Sequence, residues 1–290
     1  MVWIKWFGLV AATLTLGFVG LIAYGSWRWN ASSTAWLARL EAARVPHAVV
    51  RYDARELEGL PAPVQRYFRA ALSDGQAVIA AVSIRHTGTF NMGASAEQWK
   101  PFTSKQRVIT LRPGFVWDAR VMMFPGVPVH VHDAYVAGAG VLHGALLGLV
   151  TVVNIADTPE MARGELMRYF AEAAWYPTAL LPSQGVRWEA VDDTSAHATL
   201  TDRALTLKLL FRFNAAGLID TVRAEARGRV VNGKTAFAPW QGRYWGYAMH
   251  GGMNVPQEGE VAWLLPEGEK PYWRGKTVWA DFEFASQPAR

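Results

Sequence analysis

The 290 residues include no cysteine, 14 tryptophans, 18% charged side chains and a net charge of +5 scattered along the chain. The lack of cysteine excludes disulfides, thiolate catalysis and cysteine-based zinc sites, and so thin a positive charge argues against a dedicated nucleic-acid binder. A charged fraction below the roughly 25% usual for soluble domains, with so many amphipathic indoles, points instead to membrane contact and aromatic-walled spaces.

From Trp6 to Trp27 no residue is charged, and Lys5 and Arg28 bracket the run. At about 1.5 Å per residue such a run crosses the roughly 30 Å hydrocarbon core of a bilayer. Trp3 and Trp6 at one end, and Tyr24, Trp27 and Trp29 at the other, suit the two headgroup belts. Ala23-Tyr24-Gly25 makes a poor cleavage site, so residues 1–29 are expected to be an uncleaved single-pass anchor in the cell membrane rather than a signal peptide. Lys5 against Arg28, Arg39 and Arg44 leaves orientation nearly balanced; because long domains translocate largely regardless of loop charge, the expectation leans toward an extracytoplasmic body.

Residues 30–76 are expected to form a helical neck. A short helix over 33–44 leads away from the membrane, and a box-like pair, Asp53 and Glu56, opens the next turn. After Pro61 and Pro63, the spacing of Val64, Tyr67, Phe68, Ala71 and Leu72 predicts an amphipathic helix. From Val78 the period changes to two, which begins a β-rich domain over 77–285. Strands are expected over 79–90, 104–111, 115–123, 127–136 and 141–153, and again over 186–191, 196–201, 204–213, 218–231, near 235–249, 258–265 and 274–284. Between the two sets lies one helix, 158–175, capped by Asp157 or Thr158 and stopped at Trp175-Tyr176-Pro177. Ala162, Leu166, Tyr169, Phe170 and Ala173 share its apolar face, with Glu165, Arg168 and Glu172 as a stripe beside it. In the clearest hairpin Leu205, Leu207, Leu209, Phe211 and Phe213 alternate inward; on the return strand Val222, Ala224, Ala226 and Val230 share one face and Arg223, Glu225, Arg227 and Arg229 the other. The pattern predicts a mainly β, α+β fold: a large curved antiparallel sheet or half-barrel with covering helices, preceded by one transmembrane helix.

The segment ELMRYFAEAAWYPTALLPSQGVRWEAVDD, with PGFVWDARV before it and EGEVAWLLPEGEKPYWRG after it, resembles a family of uncharacterised bacterial proteins, a domain of unknown function usually preceded by a membrane helix. The resemblance spans roughly residues 60–285 and implies no activity, substrate or catalytic residue. The strand order with inserted helices is also similar to the half-barrel of the outer-membrane lipoprotein carriers, which hold acyl chains between a curved sheet and helices. That second likeness is architectural, and fold alone does not establish function.

Four groups of residues are candidates for chemistry. His130 and His132 share a strand face at a spacing that suits one metal ion, with Asp133 on the opposite face and His86, His143 or Glu97 available as a third ligand. The His-x-His-x-Asp-His pattern of metallo-hydrolases is incomplete, and two histidines on an ordinary sheet face is the plainer account. Glu165, Arg168 and Glu172 suit an acid/base group with an arginine clamp, or an ion ladder whose exposed links contribute about 0.3–0.5 kcal/mol each. Arg223, Arg227 and Arg229, with Lys208 and Arg212, form a basic hairpin face for anionic headgroups or for solvent. The aromatic turns 239–247 and 271–275 either wall a pocket, with Arg243 or Arg274 on an anionic group, or close the sheet's corners.

No nucleophile elbow, Walker loop, dinucleotide fingerprint or His-Glu-x-x-His helix is present. The expected function is a membrane-anchored binding protein holding a lipid or other hydrophobic ligand, with no cofactor and no nucleic-acid partner. Leu166, Arg168, Tyr169, Phe170, Trp175, Trp240, Arg243, Tyr272, Trp273 and Arg274 are its expected ligand-binding residues. The alternatives are an enzyme acting on a membrane-derived substrate through Glu165 and Glu172 or a His130/His132 metal, and a structural or interaction protein with no ligand.

Overall fold

The computed structural model describes residues 2–46, 48–93, 96–231 and 234–286. Among the described residues the two residue periods resolve into three α-helices, four short 3₁₀ turns and fifteen strands. Helix α1 spans Val2–Ala42, α2 spans Ala62–Ala71 and α3 spans Pro159–Ala171. Before α3 lie β1 (Ile79–Asn91), β2 (Trp99–Ile109), β3 (Gly114–Phe124), β4 (Val127–Val136), β5 (Ala139–Leu146) and β6 (Val150–Ala156). After it come β7 (Arg187–Asp192), β8 (Ser195–Asp202), β9 (Leu205–Phe213), β10 (Ile219–Val231), β11 (Lys234–Trp245), β12 (Ala248–His250), β13 (Met253–Val255), β14 (Glu258–Leu265) and β15 (Gly268–Phe284).

Thirteen strands form one antiparallel sheet, in the order β6-β5-β4-β3-β2-β1-β15-β14-β11-β10-β9-β8-β7. Its two edges are consecutive strands, and α3 joins them. A sheet this long coils on itself, and α3 touches β3, β4 and β5 on one wing and β9 and β10 on the other. The helix therefore lies in the concave trough, the half-barrel arrangement expected from the strand pattern.

Strand parity sets the two faces. Phe115, Trp117, Ala119 and Val121 of β3 point into the trough, while Val116, Asp118 and Arg120 point outward. The main core lies inside, where α2 and the short turns Glu172–Trp175, Pro177–Leu180 and Pro182–Gln184 plug one end of the trough. Buried tyrosines satisfy backbone groups there: the Tyr244 hydroxyl donates to the Ala171 carbonyl at 2.8 Å, and Tyr176 donates to Tyr169 O at 2.6 Å.

Three boundaries differ from expectation for local reasons. The segment expected as one strand, 141–153, is two, because Leu147 and Gly148 take φ of 54° and 71° and turn the chain. The short helix expected over 33–44 is not separate: α1 runs unbroken from Val2 to Ala42, across the expected anchor–neck boundary at 29. The α-helical part of 158–175 stops at Ala171 and tightens into 3₁₀ turns, with Thr158, not Asp157, accepting from the Met161 amide as N-cap.

The second half of α1 docks on the convex face. Leu40 is fully buried against Ala81, Ile109, Val116, Ala134 and Val136. Trp29 Nε1 donates to Asp118 at 3.0 Å, and its ring stacks on His132 at 4.0 Å. Gly25 and the β5–β6 turn approach backbone to backbone: a Cβ on Gly25 would lie 2.2 Å from the Leu147 carbonyl oxygen, and one on Gly148 2.6 Å from the Gly25 oxygen. Only glycine permits that contact.

Candidate functional site

Between α3 and the two wings of the sheet lies a cavity of ≈ 490 Å³. One wall is Val121, Val129, Val131, Leu142 and Ile155; the other is Arg227, Trp240 and Tyr244; Phe90, Val261, Trp263, Tyr272 and Trp273 form the floor. From α3 come Met161, Gly164, Glu165 and Arg168, and from the turn directly after it Glu172, which together continue one helix face. That is the charged stripe. The apolar stripe faces the solid part of the core instead: Leu166 is fully buried, Phe170 packs on Phe211 at 5.6 Å, and the Tyr169 hydroxyl donates to the Thr110 carbonyl.

Arg168 organises the deep end of the cavity. Its guanidinium bonds Glu172 through Nε at 2.7 Å and Asp133 through Nη1 at 2.5 Å, and its carbon centre stands 4.8 Å from the Trp117 ring and 4.9 Å from Phe115. Gln106 donates to the second Glu172 oxygen at 2.6 Å. Arg227 crosses from β10, stacks on Trp240 at 4.7 Å and reaches Glu165 at 3.3 Å. Two guanidiniums thus face three carboxyls, and a proton on one carboxyl balances the set. Burial, and then the neighbouring Asp133 carboxylate, push the Glu165 carboxyl well above its usual range. Glu165 is accordingly the proton-bearing member. Asp133 Oδ1, Glu165 Oε2 and Arg227 Nη1 have no protein hydrogen-bond partner, so the cluster keeps polar valences of its own to offer.

Arg227 reaches the cavity through a β-bulge. The β10–β11 register steps from Ala224 opposite Trp240 to Arg227 opposite Ala238, three residues against two. The inserted residue reverses parity, turning Arg227 inward and leaving it 9% exposed. The basic hairpin face expected from strict alternation is therefore broken: Arg223 pairs with Glu225 on the outside, and Arg227 belongs to the interior.

Of the expected ligand-binding residues, Arg168, Trp175, Trp240, Tyr272 and Trp273 line the cavity, as do Glu165 and Glu172. Leu166, Tyr169 and Phe170 do not, for the reason given above. Arg243 lies on the outer surface, 60% exposed and 3.9 Å from Asp220, and Arg274 pairs with Glu260 at 2.5 Å beneath Trp99. Gln106 and Trp117 belong to none of the expected groups, Asp133 is expected only beside the histidine pair and Arg227 only on the basic hairpin face. Asp133 left a signal in the sequence, an inward charge on a strand whose other inward residues, Val129 and Val131, are apolar.

The four histidines considered as metal ligands fall in two places. His130, His132 and His143 sit under α1 on the convex face, where His132 Nε2 lies 2.7 Å from Ser33 Oγ and the Trp29 ring covers all three. His86 points inward between Trp175 and Trp273, and burial lowers its pKa to about 3, with the Arg168 charge adding to the effect. Among the described residues no group of three or more His, Asp or Glu is placed to hold a metal ion.

Residues 58–282 match the model of a protein family described as a family of unknown function. No curated protein matches the chain. Among solved structures, a LolA superfamily protein from Nitrosomonas europaea aligns over 76% of this chain and 93% of its own, at 12% identity and a TM-score of 0.39, a loose likeness in the course of the chain.

Proposed function

The chain belongs to that family of unknown function, DUF6920, so its role is read from the cavity itself, and we propose a membrane-tethered protein that holds one hydrophobic small molecule. The carrying observation is the ≈ 490 Å³ space with mostly apolar walls and one polar end. Its volume falls in the range of small-molecule sites, which pair apolar walls with a few placed polar groups. An acyl chain fits that description, each buried methylene contributing about 0.8 kcal/mol. Its polar end lies against Glu165, Arg227 and Asp133, whose free valences it satisfies, and its chain runs along Val131, Val129 and Val261. The tether is α1, long and apolar enough to cross a membrane before it docks on the body.

Gly164 supplies the test. A Cβ there meets nothing nearer than Arg227 Nε at 3.9 Å, so its side chain would grow into the cavity. Full-length protein in nanodiscs should bind a fluorescent fatty acid saturably, and affinity should fall stepwise through Gly164→Ala, Gly164→Leu and Gly164→Phe. Equal binding by wild type and folded Gly164→Phe would refute the reading.

A second reading rests on the buried carboxyls Asp133 and Glu165, of which burial holds Glu165 well above its usual pKa range. A buried carboxyl pair of this kind also serves general acid/base catalysis on a membrane-derived substrate. Turnover of acyl-ester or glycolipid substrates that disappears in Glu165→Gln, with ligand binding retained, would favour it.

A further inference from the structure

The open end of the cavity and the start of α1 lie at the same end of the molecule. Strand register gives the polarity: the end of β1 (Asn91), the start of β2 (Trp99), the β3–β4 turn, the β5–β6 turn and the β10–β11 turn all fall at one end of the sheet. Helix α1 enters there, with Gly25 against Leu147–Leu149, and climbs to Leu40 beside Gly114 at the other end. Its uncharged residues 6–24 therefore project beyond the β5–β6 turn. The far end of the trough is plugged by α2, and at the near end, where α1 enters, the cavity lining reaches Met92, Val152, Val230 and Thr235.

The rim of that opening is apolar and exposed. Met92, Phe124, Val150, Val152, Val230 and Phe237 stand there, with Phe124 67%, Val150 62% and Phe237 61% exposed. Val150 follows directly on the turn that touches Gly25, which puts it at the height where α1 leaves the body. Exposed apolar residues gathered round an opening mark an interaction surface, unlike single ones scattered elsewhere. The charge here is mixed: Lys100, Lys234 and Lys270 accompany Glu97, Glu267 and Glu269. Apolar contact rather than attraction to anionic lipid sets the fit.

We propose that this rim rests in the bilayer crossed by α1, so that the cavity is loaded and emptied by lateral passage of a lipid chain from the membrane. The proposal deepens the binding role above and depends on it for the cargo, but the seating of the rim is tested separately. The chain has no cysteine, so single cysteines can carry a nitroxide without background. Full-length Phe124→Cys, Val152→Cys and Val230→Cys variants in phosphatidylcholine nanodiscs would be compared with Trp245→Cys and Met249→Cys, whose residues lie at the opposite end of the sheet. The proposal expects oxygen to relax the first three labels more than a water-soluble nickel chelate does, with the reverse order for the last two. Chelate-dominated relaxation at all five positions would overturn it, even if fatty-acid binding is found. A second variant, Phe124→Glu with Val150→Glu, at rim residues that do not line the cavity, should slow uptake from nanodisc lipid at least tenfold and leave affinity for fatty acid in detergent solution unchanged; unchanged uptake would also count against lateral loading.

Discussion

Arg168 is the residue on which the polar end of the cavity turns. It pairs with two carboxylates on different elements and lies against two aromatic rings, so Arg168→Met would leave Asp133 and Glu172 buried without their cation. A cost of about 3–5 kcal/mol is expected, measurable by urea unfolding. Arg168→Lys should recover little, because an ammonium supplies neither the planar fork nor the stacking. Gly164→Ala should have the opposite sign, gaining about 1 kcal/mol from helix propensity alone. Two buried groups of the trough contribute to the pH dependence, alongside His132 under α1, whose pKa burial also lowers, to about 4. His86, depressed by burial to about 3 from its ordinary 6.5, stays neutral in the folded chain while the unfolded chain takes up a proton. Its contribution is present above pH 6.5 and is lost toward pH 3, at up to about 1.4 kcal/mol per pH unit. Glu165 has the opposite sign, since its raised pKa favours the folded state below about 4.5 and penalises it as pH rises. His86→Phe should flatten the acid limb of stability against pH, and Glu165→Gln the alkaline one. A Glu165→Gln profile parallel to wild type would show that no proton is held there.

At the scale of elements, periodicity carried most of the information. The 3.6-residue pattern of Val64, Tyr67, Phe68 and Ala71 located α2, and alternation placed Asp133 opposite His130 and His132. What periodicity cannot reveal is a change of phase. The β10 bulge adds one residue and thereby moves Arg227 from the solvent face to the cavity, and no residue type in that strand announces it. Helix α3 has two stripes, and the sequence does not say which of them meets empty space; the filled side took the apolar one because the core there is continuous with Phe211 and Tyr176. The docking of α1 was hidden for a different reason. Trp29 reads equally well as a headgroup-belt residue, and only the cross-strand row of Asp118, His132 and His143 gives it a partner. Leu40→Ala should cost about 2–5 kcal/mol, as for other fully buried leucines. Gly25→Leu, which collides with the Leu147 carbonyl, should loosen the helix from the body and raise hydrogen exchange in residues 25–42 without changing exchange in β8 and β9.

At the scale of the whole molecule, the cavity lining and the point where α1 meets the body share one end of the sheet. The curved sheet supplies walls from both wings, α3 ties the two edge strands across the trough, and α2 closes the end away from α1. A trough plugged at one end, beside a helix long and apolar enough to cross a membrane, is suited to keeping a hydrophobic molecule out of water while remaining in reach of lipid. The central claim is occupancy of this space. The most direct measurement is photo-crosslinking of a diazirine-bearing fatty acid to full-length protein in nanodiscs, followed by peptide mapping. The account predicts adducts within 129–133, 161–168 and 261–263, reduced in Gly164→Phe. Adducts confined to residues 6–27 and the outer surface, with the cavity strands unlabelled, would contradict it.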